Sequence, residues 1–409
     1  MTATQGPDES PHSALGGVRV VELGSLIAGP FAGRLLADLG ADVIKVEDPR
    51  RPDPLREWGQ PRVDGHTLWW SVQSRGKRLV TLDLHSEHGR AVLEKMLASA
   101  DVLLENFRPG TLERWGLSPA KLWEINPGLV IARVSGYGQT GCNSHKPGYA
   151  SVAEAIGGMR FLNGHPGDAP PRTGLSMGDT LAAMFAMQGI LAALYWRDAR
   201  GGRGQIVDVS LVESCFAMLE SVAPEYAATG QVRQPSGTGL KGLAPSNLFR
   251  SRDNKWVVIA ANQDSVFARL AKAMGMPELV DDPRFAGHAQ RGRHQQEIED
   301  IVAAWAVTLP ARQLVDVLDA AGVPTGPVHT IADIFEDPFF WEREQLIKAE
   351  DPVLGEIVMP GVIPRLTATP GAAGRPGPLA CGVDNDEVYA GIVGLTENEI
   401  IALRAEGVI

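Results

Sequence analysis

Residues 17–49 read GVRVVELGSLIAGPFAGRLLADLGADVIKVEDP, and this stretch decides the fold. Val18 to Leu23 is a short apolar run ending in a Gly/Ser turn, Phe31 to Leu39 carries apolar residues at helical spacing, and Asp42 to Val46 is again strand-like. Strand, helix and strand in this order make a β-α-β unit. A dinucleotide is the first ligand to test against such a unit. Gly24, Gly29 and Gly33 do not form G-x-G-x-x-G, although Glu47 ends the second strand where a ribose-binding acid would stand. The glycines therefore read as helix-packing positions, and no nicotinamide or flavin is expected.

The alternation continues outward. Leu79 to Leu84, Asp101 to Glu105, Leu129 to Val134 and Gln205 to Ser210 read as strands. Glu87 to Ser99, Leu112 to Trp115, 180–196 and Leu211 to Ala223 read as helices. Strands alternating with helices predict an α/β fold with a doubly wound parallel sheet, its loops gathered at the carboxyl ends of the strands. Around 228–245 the composition shifts to Gly, Pro and Ser, as in a linker or mobile loop. Beyond it, a strand at Lys255 to Ala261 and helices at 264–275, 296–307 and 311–321 predict a smaller α+β domain. The last stretch, 331–409, holds helices, a β-rich piece at Glu356 to Pro364 and a closing helix from Glu397.

Composition narrows the partners. The chain has 409 residues, 44% of them apolar, and a formal net charge of −11, which gives room for two domains. Its basic residues never run longer than pairs or triplets, so no nucleic acid is expected. Cys142, Cys215 and Cys381 fit neither a disulfide framework nor a zinc cluster, so they read as packing residues of a cytoplasmic protein with no metal site. The first 15 residues lack a basic start and an apolar core and read as a disordered leader, not a signal peptide. The longest apolar run, Leu181 to Trp196, carries Gln188 and falls short of the ~20 residues that a bilayer requires, so it reads as a buried helix with no membrane role.

Two nucleophiles precede that helix. Gly174-Leu175-Ser176-Met177-Gly178 matches the G-x-S-x-G elbow of serine esterases, which must follow a strand. The preceding GHPGDAPPRT holds three prolines that forbid a central strand. Asp179 directly precedes Thr180-Leu181-Ala182-Ala183, where unpaired N–H groups and the helix dipole favour a negative charge. By position alone it is an ordinary helix cap or a carboxylate nucleophile toward an activated acyl group. Basic and aromatic residues lie in several loops: Arg75, Lys77 and Arg78; Asn106, Phe107, Arg108 and Arg114; and Lys146. Loops that share one edge of a doubly wound sheet can bring positive charge to phosphate and an aromatic to a base.

Taken together with residues 17–49, the segments SRGKRLVTLDL, DVLLENFRPGTLERWGL, INPGLVIARVSGYGQTG, GDTLAAMFAMQGILAALYWRDARGGRGQIVDVSL and AGVPTGPVHTIADIFEDP follow in an order that resembles the class III CoA-transferases, the CaiB–BaiF family. The resemblance spans roughly residues 16–409. It implies an interlocked homodimer, each subunit having a Rossmann-like large domain built from 16–224 and 331–409 and a small domain at 225–330. It implies that Asp179, the aspartate of the Gly-Asp before the long helix, is the nucleophile, and that acyl-CoA is a substrate, with no tightly bound cofactor. It also implies that Lys77, Arg78, Asn106, Phe107, Arg114 and Lys146 hold CoA, and that a mobile glycine loop containing Gly237, Gly239 and Gly242 covers the intermediate. Asp48 departs from the pattern, standing where some members place an arginine on the adenine side, so that Arg50 or Arg51 substitutes or the contact is lost.

Substrate preference rests on two further positions. Ile27 stands where formyl- and oxalyl-transferring members carry glutamine, which implies a roomier pocket. Arg172, seven residues before Asp179, matches an arginine of members acting on dicarboxylates, and a guanidinium grips a distal carboxylate bidentately. The expectation is a succinyl-CoA-type donor and a small dicarboxylate acceptor. The α-methylacyl-CoA racemases of the same superfamily need a histidine in a Gly-His-Asp stretch; here that stretch is Gly148-Tyr149-Ala150, which removes the base for proton abstraction. A racemase and a serine esterase built on Ser176 remain the alternatives.

Overall fold

The computed structural model describes residues 13–60 and 62–409. They divide into two compact units: one holds residues up to Met159, Thr173–Glu220 and Phe339–Ile409, the other Arg160–Arg172 and Ser221–Pro338. Of the expected leader, residues 1–12 lie outside the described residues. Leu15, its last residue, donates its N–H to Leu39 O at 3.0 Å and packs on the core.

The first unit is built on a parallel sheet of six strands: β1 (Arg19–Glu22), β2 (Asp42–Glu47), β3 (Lys77–Thr81), β4 (Val102–Glu105), β5 (Val130–Ser135) and β6 (Ile206–Ser210). Their spatial order is β3-β2-β1-β4-β5-β6, the arrangement of doubly wound nucleotide-binding folds, whose direction reverses between β1 and β4. Both faces are covered, so the strands read as continuous apolar runs. Successive residues point to opposite faces. Val21, Ile44, Val80 and Leu103 join one core with Val92, Tyr389 and Leu403, while Val20, Val43, Val102 and Val130 join another with Ala32, Ala182 and Ala186.

The chain's end closes the β3 edge. Asp384 and Asn385 accept the Leu79 and Thr81 N–H groups at 2.7 and 2.9 Å, and the Tyr389 hydroxyl donates to Thr81 O at 2.6 Å. These bonds satisfy a strand edge that would otherwise pair with another chain. The expected β-rich piece is an antiparallel hairpin, Leu346–Asp351 with Gly355–Pro360.

Two helices differ from expectation. The long helix runs from Met177 to Arg200, 24 residues, and stops at Gly201, whose φ of +68° suits a left-handed C-cap. It is long and apolar enough to cross a bilayer by length and composition, yet Ala182, Ala183, Ala186 and Ile190 are packed on the sheet. At Gly189 an added Cβ would stand 2.4 Å from Val207 Cγ1, so glycine permits the close approach. The expected helix from Leu211 to Ala223 is two helices, Leu211–Phe216 and Val222–Thr229, separated by Glu220 at φ +49°. Pro224 sits in the first turn of the second, where proline is tolerated.

The second unit has a three-stranded antiparallel sheet, Ser246–Arg250, Trp256–Ala260 and Thr325–Pro327, with Trp256–Ala260 in the centre. Helices Asp264–Ala273, Gln295–Ala306 and Ala311–Ala320 pack on it around Phe249, Val257, Ile259, Phe267 and Leu314.

Candidate active site

The start of the long helix is set by its neighbours. Ser176 is the N-cap by backbone position, although its side chain makes no capping bond, and Asp179 is the third helical residue, half-buried. The helix therefore begins three residues before Thr180, and Asp179 lies within its first turn and not ahead of it. Its carboxylate still sits at the positive end of the helix dipole, typically worth about 0.3–1 kcal/mol. No strand lies in 163–176, so the G-x-S-x-G match is not a strand-to-helix elbow.

Gly178 is buried against the helix Ala150–Ile156, where a Cβ would stand 3.1 Å from Ala150 O. Its N–H, one of the donors a helix start leaves unpaired, is accepted by Glu154 Oε1 at 3.3 Å. That amide is thereby taken, and Thr180 N–H is taken by Ser176 O at 3.0 Å. Cys215, on the helix Leu211–Phe216, is fully buried beside this cluster. Burial first, then the charges of Glu154 and Asp179, push its thiol up to about 11, so it is an inert packing group at neutral pH. Cys142 and Cys381 are exposed, contrary to the expectation that all three cysteines pack inside.

At the topological reversal, β1 and β4 are clasped by one side chain. Asn106 Oδ1 accepts Ser25 N–H at 2.9 Å and its Nδ2 donates to Ser25 O at 2.8 Å. Next to it, Glu105 Oε2 accepts Phe107 N–H at 2.6 Å while Oε1 accepts Arg133 Nε at 2.7 Å. Burial, opposed by Arg133, pushes the Glu105 carboxyl up to about 7. Phe107 and His85 both meet Trp115 edge-on, with ring centroids 5.3 and 5.5 Å away. An aromatic ledge thus stands at the carboxyl edge of the sheet. Trp115 and His85 carry no distinguishing pattern in the sequence and become visible only through this packing.

Lys77 and Arg78 do not join it. The strand begins at Lys77, two residues earlier than the sequence suggests, so both lie inside β3 near its amino-terminal end, paired with Val43 and Ile44. The Lys77 side chain is buried, its Nζ donating to Glu22 Oε2 and Pro30 O at 2.7 Å each. Burial, against the pull of Glu22, lowers its ammonium to about 8. Lys45 completes the network, donating to Glu22 at 3.2 Å, Asp53 at 2.9 Å and Gly24 O at 2.7 Å. Burial disfavours its charge, but Asp53, Glu22 and Glu47 hold it above its ordinary value. These lysines brace the loop between β1 and the helix Ala28–Asp38. Arg78 is half-buried, its Nε 3.5 Å from both Asp42 and Glu387.

The remaining positions are placed as follows. Arg114 is exposed and donates to Thr111 Oγ1 at 2.8 Å, and Lys146 is exposed on the loop before Ala150. Ile27 is buried and packs against Leu55, Trp70 and Leu79. Asp48 accepts the backbone N–H groups of Arg50 and Arg51 at 2.8 and 3.3 Å, and the Arg50 guanidinium is paired with Asp83, leaving Arg51 exposed. Asp48, Asp83 and His85 bring three ligand-type atoms within 4.8 Å of one another, but Arg50 sits on that cluster.

Arg172 and the glycine loop belong to the second unit, where Arg172 is exposed. Gly237, at φ +71°, donates its N–H to Gly164 O at 2.9 Å and leaves no room for a Cβ, which would meet His165 Nδ1 at 2.7 Å. Gly242 N–H donates to Gln295 Oε1 at 2.9 Å. Gln295 and Asn247 both donate to Glu299, at 2.9 and 2.8 Å, and Gly239 lies against Asn247.

Comparison with known proteins gives this arrangement its context. The model of CoA-transferase family III matches residues 15–385. The chain is 49% identical over 401 residues, 98% of its own length and 99% of the relative's, to the succinyl-CoA–D-citramalate CoA-transferase of Chloroflexus aurantiacus. It is 39% identical over 398 residues, 97% of its length and 92% of the relative's, to the succinyl-CoA–L-malate CoA-transferase alpha subunit of the same organism. Among solved structures, a CaiB/BaiF family protein from Brucella suis superposes with a TM-score of 0.81 at 31% identity, covering 93% of this chain and 99% of that one. The chain belongs to CoA-transferase family III and is a CoA-transferase.

Proposed function

We propose that the enzyme moves CoA from succinyl-CoA to a small dicarboxylic acid of the citramalate or malate type, through covalent acylation of Asp179. The observation that carries this reading is the placement of Asp179 in the first turn of the long helix, half-buried, where the helix dipole steadies a carboxylate until it attacks. The donor and acceptor are those named for the relatives at 49% and 39% identity.

The chemistry is carboxylate exchange. An Asp179 oxygen attacks the thioester carbonyl and CoA thiolate leaves, giving a mixed anhydride. The thiolate then attacks the aspartyl carbonyl and expels succinate, giving an aspartyl-CoA thioester. The acceptor carboxylate attacks that carbonyl to form a second anhydride and release thiolate. Attack of the thiolate on the acceptor's acyl carbon yields the new CoA ester and restores Asp179. Each intermediate is hydrolysable, so water must be kept out, the role assigned to the loop of Gly237, Gly239 and Gly242.

In this reading CoA lies along the carboxyl edge of the sheet, by Asn106 and the Phe107–Trp115 ledge, with Arg114, Lys146 and Arg51 available for its phosphates and Arg78 in a lesser part. Arg172 holds the acceptor's distal carboxylate. Purified enzyme with succinyl-CoA is expected to use citramalate or malate at least about tenfold better in kcat/KM than a monocarboxylate of similar size, and Arg172→Ala is expected to erase that preference by raising KM for the dicarboxylate. A wild-type preference for monocarboxylates would sink the substrate assignment.

The same reading includes a homodimer. On the long helix, Met184, Gln188, Ala192, Tyr195, Trp196 and Ala199 are all exposed at helical spacing, leaving one largely apolar face uncovered, with Tyr195 63% exposed. A second copy of the chain is the occupant this face supports. Light scattering after size exclusion is expected to give twice the chain mass for wild type, and the double variant Met184→Glu/Tyr195→Glu is expected to run as a monomer or aggregate. A monomeric wild type would contradict the assignment.

A further inference from the structure

The aromatic ledge at the carboxyl edge of the sheet is tied together by a buried relay that the reaction above does not use. Glu105 ends β4 and Arg133 stands beside it in β5, the two being register partners and both buried. Arg133 Nε donates to Glu105 Oε1 at 2.7 Å, while its two terminal nitrogens donate to Glu113 Oε1 and Oε2 at 2.7 and 3.2 Å. One planar guanidinium thus spans two acids. Those acids lead to the two halves of the ledge. Glu105 Oε2 accepts the Phe107 N–H, and Glu113 lies in the helix Thr111–Arg114, whose next residue is Trp115. That helix has four residues, far fewer than the ~12–15 that hold a helix together alone, so tertiary contacts set its place. Buried Leu112 supplies one, and the two-pronged pair of Glu113 with Arg133 supplies another. Its bonds from Arg133 hold the Glu113 carboxyl below the usual carboxylate range, so the pair is charged at neutral pH.

We infer that Arg133 is a positioning residue which, by bridging Glu105 and Glu113, fixes the Phe107 turn and the Trp115-bearing helix at one spacing and so raises affinity for the CoA moiety. The inference rests on CoA lying along that ledge. A ligand gripped by two ring-bearing segments must order them on binding unless the fold has already done so, and preordering appears as affinity. The relay makes and breaks no bond during transfer. Its loss therefore belongs in KM for acyl-CoA and not in kcat.

The experiment measures kcat, KM for succinyl-CoA and melting temperature. Glu113→Ala unties the short helix at a partly exposed position while leaving Glu105 on Arg133. KM is expected to rise about fivefold or more, with kcat within about twofold and the melting temperature close to wild type. Glu113→Gln still offers an oxygen to Arg133 and is expected to recover most of the affinity. An unchanged KM in Glu113→Ala overturns the inference, as does a fall of kcat in step with melting temperature, which is general loosening. Should Glu113→Ala not fold, Arg133→Lys, whose single ammonium replaces the fork, decides by the same readouts: a raised KM with kcat kept supports the relay, and any other pattern overturns it. Trp115→Ala separates this from failure of the underlying reading. If it leaves KM unchanged, CoA is not on the ledge and the inference falls with that reading; if it raises KM while Glu113→Ala does not, the inference alone falls.

Discussion

Asp179→Ala is expected to lower kcat roughly 10,000-fold or more while leaving the melting temperature close to wild type. The size of the effect follows from the role: with the acyl-accepting carboxylate gone, neither anhydride nor thioester can form, and direct transfer between two bound acids has no route that splits the barrier. The small change in stability follows from the position. Asp179 is half-buried in a first helical turn, and losing a favourable dipole contact there costs about 1 kcal/mol or less. Ser176→Ala is the matched control. Ser176 makes no capping bond and follows no strand, so its removal is expected to leave kcat within about twofold of wild type. The opposite pattern, activity lost with Ser176 and kept without Asp179, would assign the chemistry to an esterase.

Lys77→Met is expected to be the most damaging single substitution away from the helix start, through stability and not through substrate binding. The Lys77 ammonium lies inside the sheet on Glu22 and Pro30 O, and Glu22 is itself fully buried. Removing one partner from a buried charge cluster strands the other and typically costs about 3–5 kcal/mol. Lys45 still touches Glu22 at 3.2 Å, which places the expected loss toward the lower end. Thermal unfolding reads it, as a drop of about 2–4 °C for each kcal/mol in a domain of roughly 150–250 residues. At a temperature where the variant is folded, KM for acyl-CoA is expected to stay within about twofold. A melting temperature like that of wild type with a much higher KM would return Lys77 to the CoA site.

These two residues mark how far the sequence carries. The β-α-β start was legible because Val20, Val21, Val43 and Ile44 make unbroken apolar runs, as strands covered on both faces must. The charges among them were not. A lysine at the head of a strand reads as a loop cation until the register with Val43 and the reach to Glu22 are known, and neither is encoded locally. Asn106 and Phe107 were legible as a pair after a strand, but the clasp on Ser25 needed the strand order. For the helix start, Ser176 followed three residues later by Asp179 is the spacing of a capping box, a signal that places the first turn at Met177 and not at Thr180. Glu154 gave no signal: within ASVAEAIGG it looks like a solvated helix residue, and its burial arises because Gly178, lacking a side chain, lets the two helices close on each other. The packing of Ile27 onto Leu55 and Trp70 was likewise not legible, because an apolar side chain beside a loop turns into the core only once the neighbouring elements are placed.

The most direct test of Asp179 as the acylated residue is intact-mass spectrometry of the enzyme quenched after mixing with succinyl-CoA, followed by peptide mapping. The account predicts a mass increase equal to CoA less water, reversed by hydroxylamine, carried on the peptide that contains Asp179 and missing from Asp179→Ala. A turning-over enzyme that never acquires this mass, or that carries it on any other residue, would contradict it.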